Sequence, residues 1–264
     1  MRIARYWDVE RAEARYAFIE DGMLVAAIGD PFRGFVRGST VGALAGARLL
    51  PPVVPGKIVC VGLNYRAHVT ENDPSRKIPD EPVLFMKPPS AVIGPNDAIE
   101  IAYPSHRTDY EAELAVVIGR RARRVAERDA LDYVFGYTAA NDVTDRDLQK
   151  KDGQWVRAKG FDTYCPLGPW IETHIDLGSA LVESRLNGQV RQSQSTAAMI
   201  FRVSYLVSFV SHVMTLEPGD VLLTGTPEGV GPMQDGDVIE VEIGGIGVLR
   251  NRVTNRPGQA RQTA

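Results

Sequence analysis

The chain has 264 residues, 44% hydrophobic and 24% charged, with a formal net charge of -3 and a pI near 5.9. That length suits one large domain, or one with a small accessory unit, and the apolar fraction supports a sizeable core. A mildly acidic balance argues against nucleic acid as a partner, and no apolar run approaches membrane-spanning length, which argues against a membrane partner. Cys60 and Cys165 share no ligand spacing and sit among apolar or aromatic neighbours. Two buried thiols and an N-terminus without a signal-peptide pattern lead to the expectation of a cytoplasmic protein. His68, His106, His174 and His212 are widely spaced, which disfavours a His-rich zinc site.

Residues 1–52 read as a small N-terminal domain. Strand character appears at Ile3–Tyr6, Tyr16–Glu20 and Leu24–Ile28, with Asp21-Gly22 as a type I′ hairpin signal. Thr40–Ala47 is expected to be a short helix capped by Ser39 or Thr40. Pro51-Pro52 and Pro55-Gly56 break regular structure and place the domain boundary there. The main domain covers residues 53–253, and residues 254–264, with little to bury, are expected to fray.

Ile58–Tyr65 is the first strand of the main domain. If the piece after it turns helically, His68 and Glu71 lie three apart and share a face. A carboxylate that orients a histidine makes a general base, although a surface His–Glu pair has the same spacing. Asn72–Glu81 is polar and reads as a mobile loop, either a cover for a site or a plain excursion. Val83–Met86 is a strand leading to Lys87, which either faces the site or, by default, is solvated.

Asp109–Gly119 carries Glu111 and Glu113 into an apolar, β-branched run that reads as a buried strand. Residues two apart on a strand share a face, so the two carboxylates project side by side. Burying them needs compensation, and a divalent cation such as Mg2+ or Mn2+, which wants oxygen ligands, is the simplest form. Glu-x-Glu also occurs on solvated sheet faces. Asp142 ends the apolar stretch Leu131–Ala140 and is placed to supply a third oxygen. Ala126–Val134 looks helical, and the charged stretch Val143–Lys151 reads as a turn or short helix. Its Arg146 suits a substrate carboxylate, or pairs with Asp145 or Asp147. Lys159, between glycine and aromatic residues, suits a cationic anchor for developing negative charge.

Asn187-Gly188 is a strong hairpin turn. Ser195-Thr196 is placed to cap a helix, and Ile200, Val203, Leu206, Val207, Val210 and Met214 have the spacing of an amphipathic helix with a core face. His212 nearby reads as structural. Thr224–Gly231 is a glycine-rich loop able to bring N–H groups and hydroxyls to an anion, but it lacks the nucleotide-binding patterns. The architecture expected is a β-rich α+β fold of mixed sheets, not a doubly wound α/β fold.

Taken together, these residues resemble the fumarylacetoacetate hydrolase family. The motifs are Gly62-Leu63-Asn64-Tyr65-Arg66-Ala67-His68 with Glu71, Asp109-Tyr110-Glu111-Ala112-Glu113-Leu114, Gly136-Tyr137, Asn141-Asp142 and Arg146-Asp147. They continue with Lys159-Gly160-Phe161-Asp162-Thr163, Gly168-Pro169-Trp170, Asn187-Gly188, Arg191-Gln192, Pro218-Gly219-Asp220 and Thr224-Gly225-Thr226-Pro227, so the resemblance runs from about Val53 to Val253. It implies a catalytic domain of rolled mixed β-sheets behind a small N-terminal unit, in a homodimer or an assembly of dimers. Glu111, Glu113 and Asp142 then resemble Mg2+ or Mn2+ ligands, and Lys159 the cation beside the substrate. His68 and Glu71 resemble a water-activating pair on a segment that orders when substrate binds. Arg146, Gln149 and Thr226 resemble substrate-binding positions. The family usually has a small residue where Asp145 stands, so this carboxylate either alters how Arg146 meets a substrate acid or faces solvent. The implied substrate is a small enolisable 2-oxo acid. The implied reaction is carbon–carbon hydrolysis of an acylpyruvate or fumarylpyruvate type in aromatic catabolism. Alternatives are isomerisation of 2-hydroxyhepta-2,4-diene-1,7-dioate, 2-oxo acid decarboxylation, or a non-catalytic binding protein on the same fold.

Overall fold

The apolar run Ala112–Ile118 is buried at every position and forms a central strand of the largest sheet. Continuous rather than alternating burial is what a strand covered on both faces requires. In the computed structural model, which describes residues 1–71 and 73–257, the strands form sheets of 12, five and three strands. The order in the largest sheet is Gly34–Ala43, Met23–Asp30, Glu13–Glu20, Arg2–Asp8, Cys165–Glu172, Val134–Asn141, Ala112–Ile118, Val221–Leu223, Ile58–Gly62 and Val83–Lys87. Val221–Leu223 pairs parallel with Ile58–Gly62, while its other neighbour, Ala112–Ile118, runs antiparallel to it. The sheet is therefore mixed, as expected. The five-stranded sheet is ordered Gln189–Ser195, Leu181–Leu186, Val238–Ile243, Gly247–Asn255 and Ala98–Ile101.

The N-terminal strands hydrogen-bond into this architecture. Arg2–Asp8 pairs antiparallel with Cys165–Glu172, so the first four strands extend the main sheet. They also keep a small apolar cluster of their own around Ala4, Tyr6, Ala17 and Leu24. Asp21 and Gly22 both have positive φ, 47° and 76°, as a type I′ turn demands. Asn187 and Gly188 do the same at 52° and 80°.

Three expectations about elements need correction. Thr40–Ala47 is not a helix: Gly34–Ala43 is a strand paired with Met23–Asp30, and residues 44–47 turn. Gly42, Gly46 and the β-branched Thr40 and Val41 weaken helix there, and an open strand edge captures the segment. The last strand ends at Asn255, not at Val253, because Arg252–Asn255 pairs parallel with Ala98–Ile101. Of the expected tail, residues 258–264 lie outside the described residues, as does Asn72 of the expected loop. The segment Glu127–Tyr133 is helical, as expected, in 3-10 form. Ser195 caps the short turn Thr196–Ala198 by accepting from the Ala197 N–H, one element before the long helix.

That helix, Val203–Val213, buries Val203, Leu206, Val207 and Val210 and packs on Glu127–Tyr133. Its apolar face joins the main core with Val59, Leu114, Val116 and Leu222. The helix thus covers one face of the strands that carry the polar residues described next. Leu206→Ala should destabilise the protein by about 3 kcal/mol, as buried leucine truncations do. His212→Ala on the exposed face should change stability by less than about 0.5 kcal/mol. Urea denaturation of both variants measures the difference.

Candidate active site

Four neighbouring strands of the main sheet end or begin around one cavity. Ile58–Gly62 leads into Leu63, Asn64 and the helix Arg66–Thr70, which carries His68. Ala112–Ile118 begins at Glu111 and contains Glu113, and Val134–Asn141 runs out into Asp142. Val221–Leu223 leads into Thr224, Gly225 and Thr226. The cavity has a volume of about 450 Å³. His68, Glu111, Glu113, Asp142, Arg146, Gln149, Lys159 and Thr226 all line it. Glu71 is not in the wall and reaches the site through His68.

Glu111 and Glu113 do not sit on one strand. Tyr110 ends a strand of the three-stranded sheet, Ala112 begins one of the largest sheet, and Glu111 is the link between them. The Asp142 N–H donates to the Glu111 carbonyl at 2.9 Å, and the Asn141 side-chain oxygen accepts from the Glu111 N–H at 2.9 Å. These two bonds place Asp142 beside the link. Oxygens of Glu111, Glu113 and Asp142 lie within 4.8 Å of one another, and all three residues are buried.

Three cations face this cluster. Lys159 Nζ donates to Glu111 Oε2 at 2.8 Å, to Asp142 Oδ2 at 2.6 Å and to the Thr144 hydroxyl at 2.7 Å. Lys87 Nζ donates to Asp142 Oδ1 at 2.5 Å and to the Val143 carbonyl at 3.1 Å. Arg146 Nη2 lies 2.6 Å from Glu111 Oε1, while its Nε donates to Asp109 at 2.8 Å and its Nη1 to Gln149 at 3.0 Å. Glu113 is the least compensated: among the described residues its hydrogen bond is the Gly225 N–H, at 2.6 Å.

The charges respond accordingly. Burial alone would raise the Glu111 carboxyl, but Lys159 and Arg146 outweigh it and hold the group well below the usual carboxylate range. Burial, then Asp142 and Glu111, push Glu113 well above that range. Burial would lower Lys159, but Asp142 and Glu111 outweigh it and keep the ammonium charged. An all-oxygen set of three clustered carboxylates fits a hard divalent cation such as Mg2+ or Mn2+. Each carboxylate has about four lone-pair sites, so the cations on Glu111 and Asp142 leave acceptor capacity there, and Glu113 is nearly unspent.

The remaining expected residues are also placed. His68 Nδ1 lies 3.0 Å from Glu71 Oε2, and the other Glu71 oxygen accepts from the Gly229 N–H at 2.8 Å. The Thr226 hydroxyl donates to the Ala112 carbonyl at 2.9 Å and accepts from Gln192 Nε2 at 2.8 Å. Arg146 pairs with Asp109 and Glu111 rather than with Asp145 or Asp147. Asp145 neither meets Arg146 nor faces solvent. It is fully buried, accepts from the Leu148 N–H as the N-cap of the helix Arg146–Asp152, and lies 2.7 Å from His106 Nδ1. With His106 and Asp147 it forms a second group capable of chelating a divalent metal, at the edge of the site.

No role was legible in the sequence for Asp109, Asn64 or Gln192, and Lys87 takes the site-facing position over its solvated default. Lys87 is 1% exposed, not solvated, and the signal for it was its place at the end of an apolar strand. Asp109 is buried between Arg107 and Arg146. Asn64 holds the turn before the His68 helix by donating to the Phe201 and Thr224 carbonyls and accepting from the Phe201 N–H. Gln192 accepts from the Ala112 N–H and donates to Thr226, joining the five-stranded sheet to the site.

Lys87→Met should destabilise the metal-free protein by about 3 kcal/mol, because it leaves the buried Asp142 Oδ1 without its ammonium, with Lys159 holding only the other oxygen. Urea denaturation in a chelator reads this. A cation on Glu113 must displace a proton that burial holds on, so divalent-metal affinity should be full above the raised Glu113 value and weaken as pH falls through it. Calorimetric titration with Mn2+ across a pH series checks the sign.

Comparison with known proteins agrees with this construction. Residues 57–254 match the family described as fumarylacetoacetate (FAA) hydrolase, C-terminal, and residues 1–52 match Rv2993c-like, N-terminal. An uncharacterized protein of Archaeoglobus fulgidus is 55% identical over 219 residues, 83% of this chain and 86% of that one. A mitochondrial oxaloacetate tautomerase of Xenopus laevis, fahd2, is 43% identical over 218 residues, 78% of this chain and 68% of that one. The solved structure of a 5-carboxymethyl-2-hydroxymuconate delta-isomerase from Mycobacterium smegmatis superposes with a TM-score of 0.89 at 43% identity, covering 97% of this chain and all of that one. By sequence, by fold and by a buried cluster of carboxylates able to chelate a metal, the chain belongs to the fumarylacetoacetate hydrolase family.

Proposed function

We propose that the protein is a divalent-metal-dependent enzyme that hydrolyses a carbon–carbon bond in an acylpyruvate or fumarylpyruvate-type 2-oxo acid. The observation that carries this reading is His68, backed by Glu71 at 3.0 Å, lining one cavity with three buried carboxylates. In this reading Glu111, Glu113 and Asp142 hold Mg2+ or Mn2+. A cation there supplies Lewis acidity and a template for the 2-oxo carboxylate.

The chain's own residues supply the rest. Arg146 and Gln149, already bonded to each other, present a guanidinium and an amide to the substrate acid group. Lys159 places a fixed ammonium where negative charge builds on the 2-oxo group. Thr226 closes the wall beside them. Glu71 holds His68 Nδ1–H, which leaves Nε2 as the basic nitrogen. His68 takes a proton from water, and the water oxygen bonds to the distal carbonyl carbon. The bond between that carbon and the pyruvate fragment breaks. Its electron pair passes to the pyruvate carbon as an enolate, which is then protonated, and the acyl fragment leaves as a carboxylic acid.

A second reading uses the same residues without water addition. A proton is removed from the substrate and returned to another carbon or oxygen, which is isomerisation or tautomerisation. The similarity to the isomerase and tautomerase named above favours it.

Acetylpyruvate and fumarylpyruvate assays, followed by loss of the enol chromophore and by pyruvate formed, separate the two. Under the hydrolase reading, wild-type protein releases pyruvate. His68→Ala then lowers the rate by about 10²- to 10⁴-fold, the usual worth of a general base. Glu113→Ala abolishes activity together with Mn2+ binding. Isomerisation of the dienedioate without pyruvate, surviving in His68→Ala, would establish the second reading instead.

A further inference from the structure

The helix that carries His68 is too short to hold itself. It has five residues, Arg66–Thr70, and isolated helices of that length are unstable in water. The His68 and Glu71 side chains are 14% and 25% exposed, and such a partly solvated pair three residues apart has little rigidity of its own. Something outside the helix must fix their geometry.

Gly229 does so through both of its backbone groups. Its N–H donates to Glu71 Oε1 at 2.8 Å, and its carbonyl accepts from the Tyr110 hydroxyl at 3.0 Å. Glu71 Oε2 then meets His68 Nδ1 at 3.0 Å. Tyr110 is 2% exposed and sits on the strand Thr108–Tyr110, one residue before Glu111. The surroundings are built around this contact. Tyr110 pairs with Gly231, where a Cβ would come 2.9 Å from the Tyr110 hydroxyl. Gly229 has a φ of +93°, and a Cβ there would come 2.2 Å from the Arg191 carbonyl. Gly229 thus sits in a close-packed, left-handed backbone position, and the hydrogen bond at its carbonyl helps fix the direction in which its N–H points, one Cα away.

We infer that Tyr110 is a positioning residue for the His68–Glu71 pair, acting through the backbone of Gly229. One Glu71 oxygen is committed to the fixed N–H, so the other is aimed at His68. The strand that leads to the carboxylate cluster and the helix that carries the base are thereby set in register. The catalytic consequence rests on the hydrolase reading above, but the structural link does not.

Tyr110→Phe tests this because it removes only the hydroxyl. Amide exchange at Gly229 and across Arg66–Glu71, read by NMR, should rise about tenfold, the effect of losing one hydrogen bond of ordinary strength. Acylpyruvate hydrolysis should lose about tenfold in kcat, with substrate KM and Mn2+ affinity unchanged. Glu71→Ala should raise Gly229 exchange as well, and the double variant should fall short of the summed effects, as coupled residues do. Unchanged exchange at Gly229 in Tyr110→Phe, additive effects in the double variant, or a uniform rise that includes the amides of Ala112–Ile118 would each overturn the link. A parallel loss of Mn2+ affinity would show that Tyr110 acts on Glu111 instead. If wild-type protein releases no pyruvate, the hydrolase reading fails, and the exchange cycle still decides the link.

Discussion

Three carboxylates removed from water impose the organisation of this molecule. Glu111, Glu113 and Asp142 are each at most 4% exposed, and an ionised carboxylate at that depth is costly unless paired. Compensation comes from three separate segments: Lys87 at the end of a strand, Lys159 on one short helix and Arg146 on another. Each cation reaches a specific oxygen, so the electrostatics also fix where those segments pack. The compensation is uneven. Glu111 and Asp142 carry the lysines and the arginine, whereas Glu113 has the Gly225 N–H. That unevenness creates an acceptor able to take a hard cation without dismantling the fold.

The link at Glu111 gives the cluster its shape. Had both glutamates stood on one strand, they would have pointed to one face of one sheet. Instead the chain leaves the three-stranded sheet at Tyr110 and enters the largest sheet at Ala112, and Glu111 is held at the crossing by Asn141 and by the Asp142 backbone. Two sheets and a third carboxylate therefore converge over a few residues. The same crossing puts Tyr110 within reach of the Gly229 loop. The carboxylate cluster and the histidine pair are neighbours in structure because one short stretch of chain belongs to both sheets.

Hydrolysis and isomerisation need almost the same site. Both require a 2-oxo acid held by cations and a place for enolate charge, and Lys159, Arg146 and Gln149 suit either. Only the activation of water separates them, a step that the proposed hydrolysis would assign to His68 on a five-residue helix and Glu71 at its C-terminal end.

Much of this was legible from local pattern. The apolar run after Glu113 announced a buried strand, Asp21-Gly22 and Asn187-Gly188 announced hairpins, and the spacing from Val203 to Val210 announced a helix with one apolar face. Each depends on residues within a few positions, which is what backbone sterics and amphipathic periodicity encode. The residue types of the carboxylate cluster and the histidine pair were visible for the same reason. What local pattern could not decide was partnership across the chain. Thr40–Ala47 became strand because a strand edge was available to pair with it. Lys87 became buried because Asp142, 55 positions away, lay opposite its ammonium. Asp145 became a helix cap and a partner of His106, and Arg146 turned to Asp109 and Glu111. The sequence by itself determined most of the strands and helices and which side chains could do chemistry. The tertiary structure alone decided which charge meets which, since burial and distance set the worth of an ion pair and neither is a property of neighbouring residues in the chain.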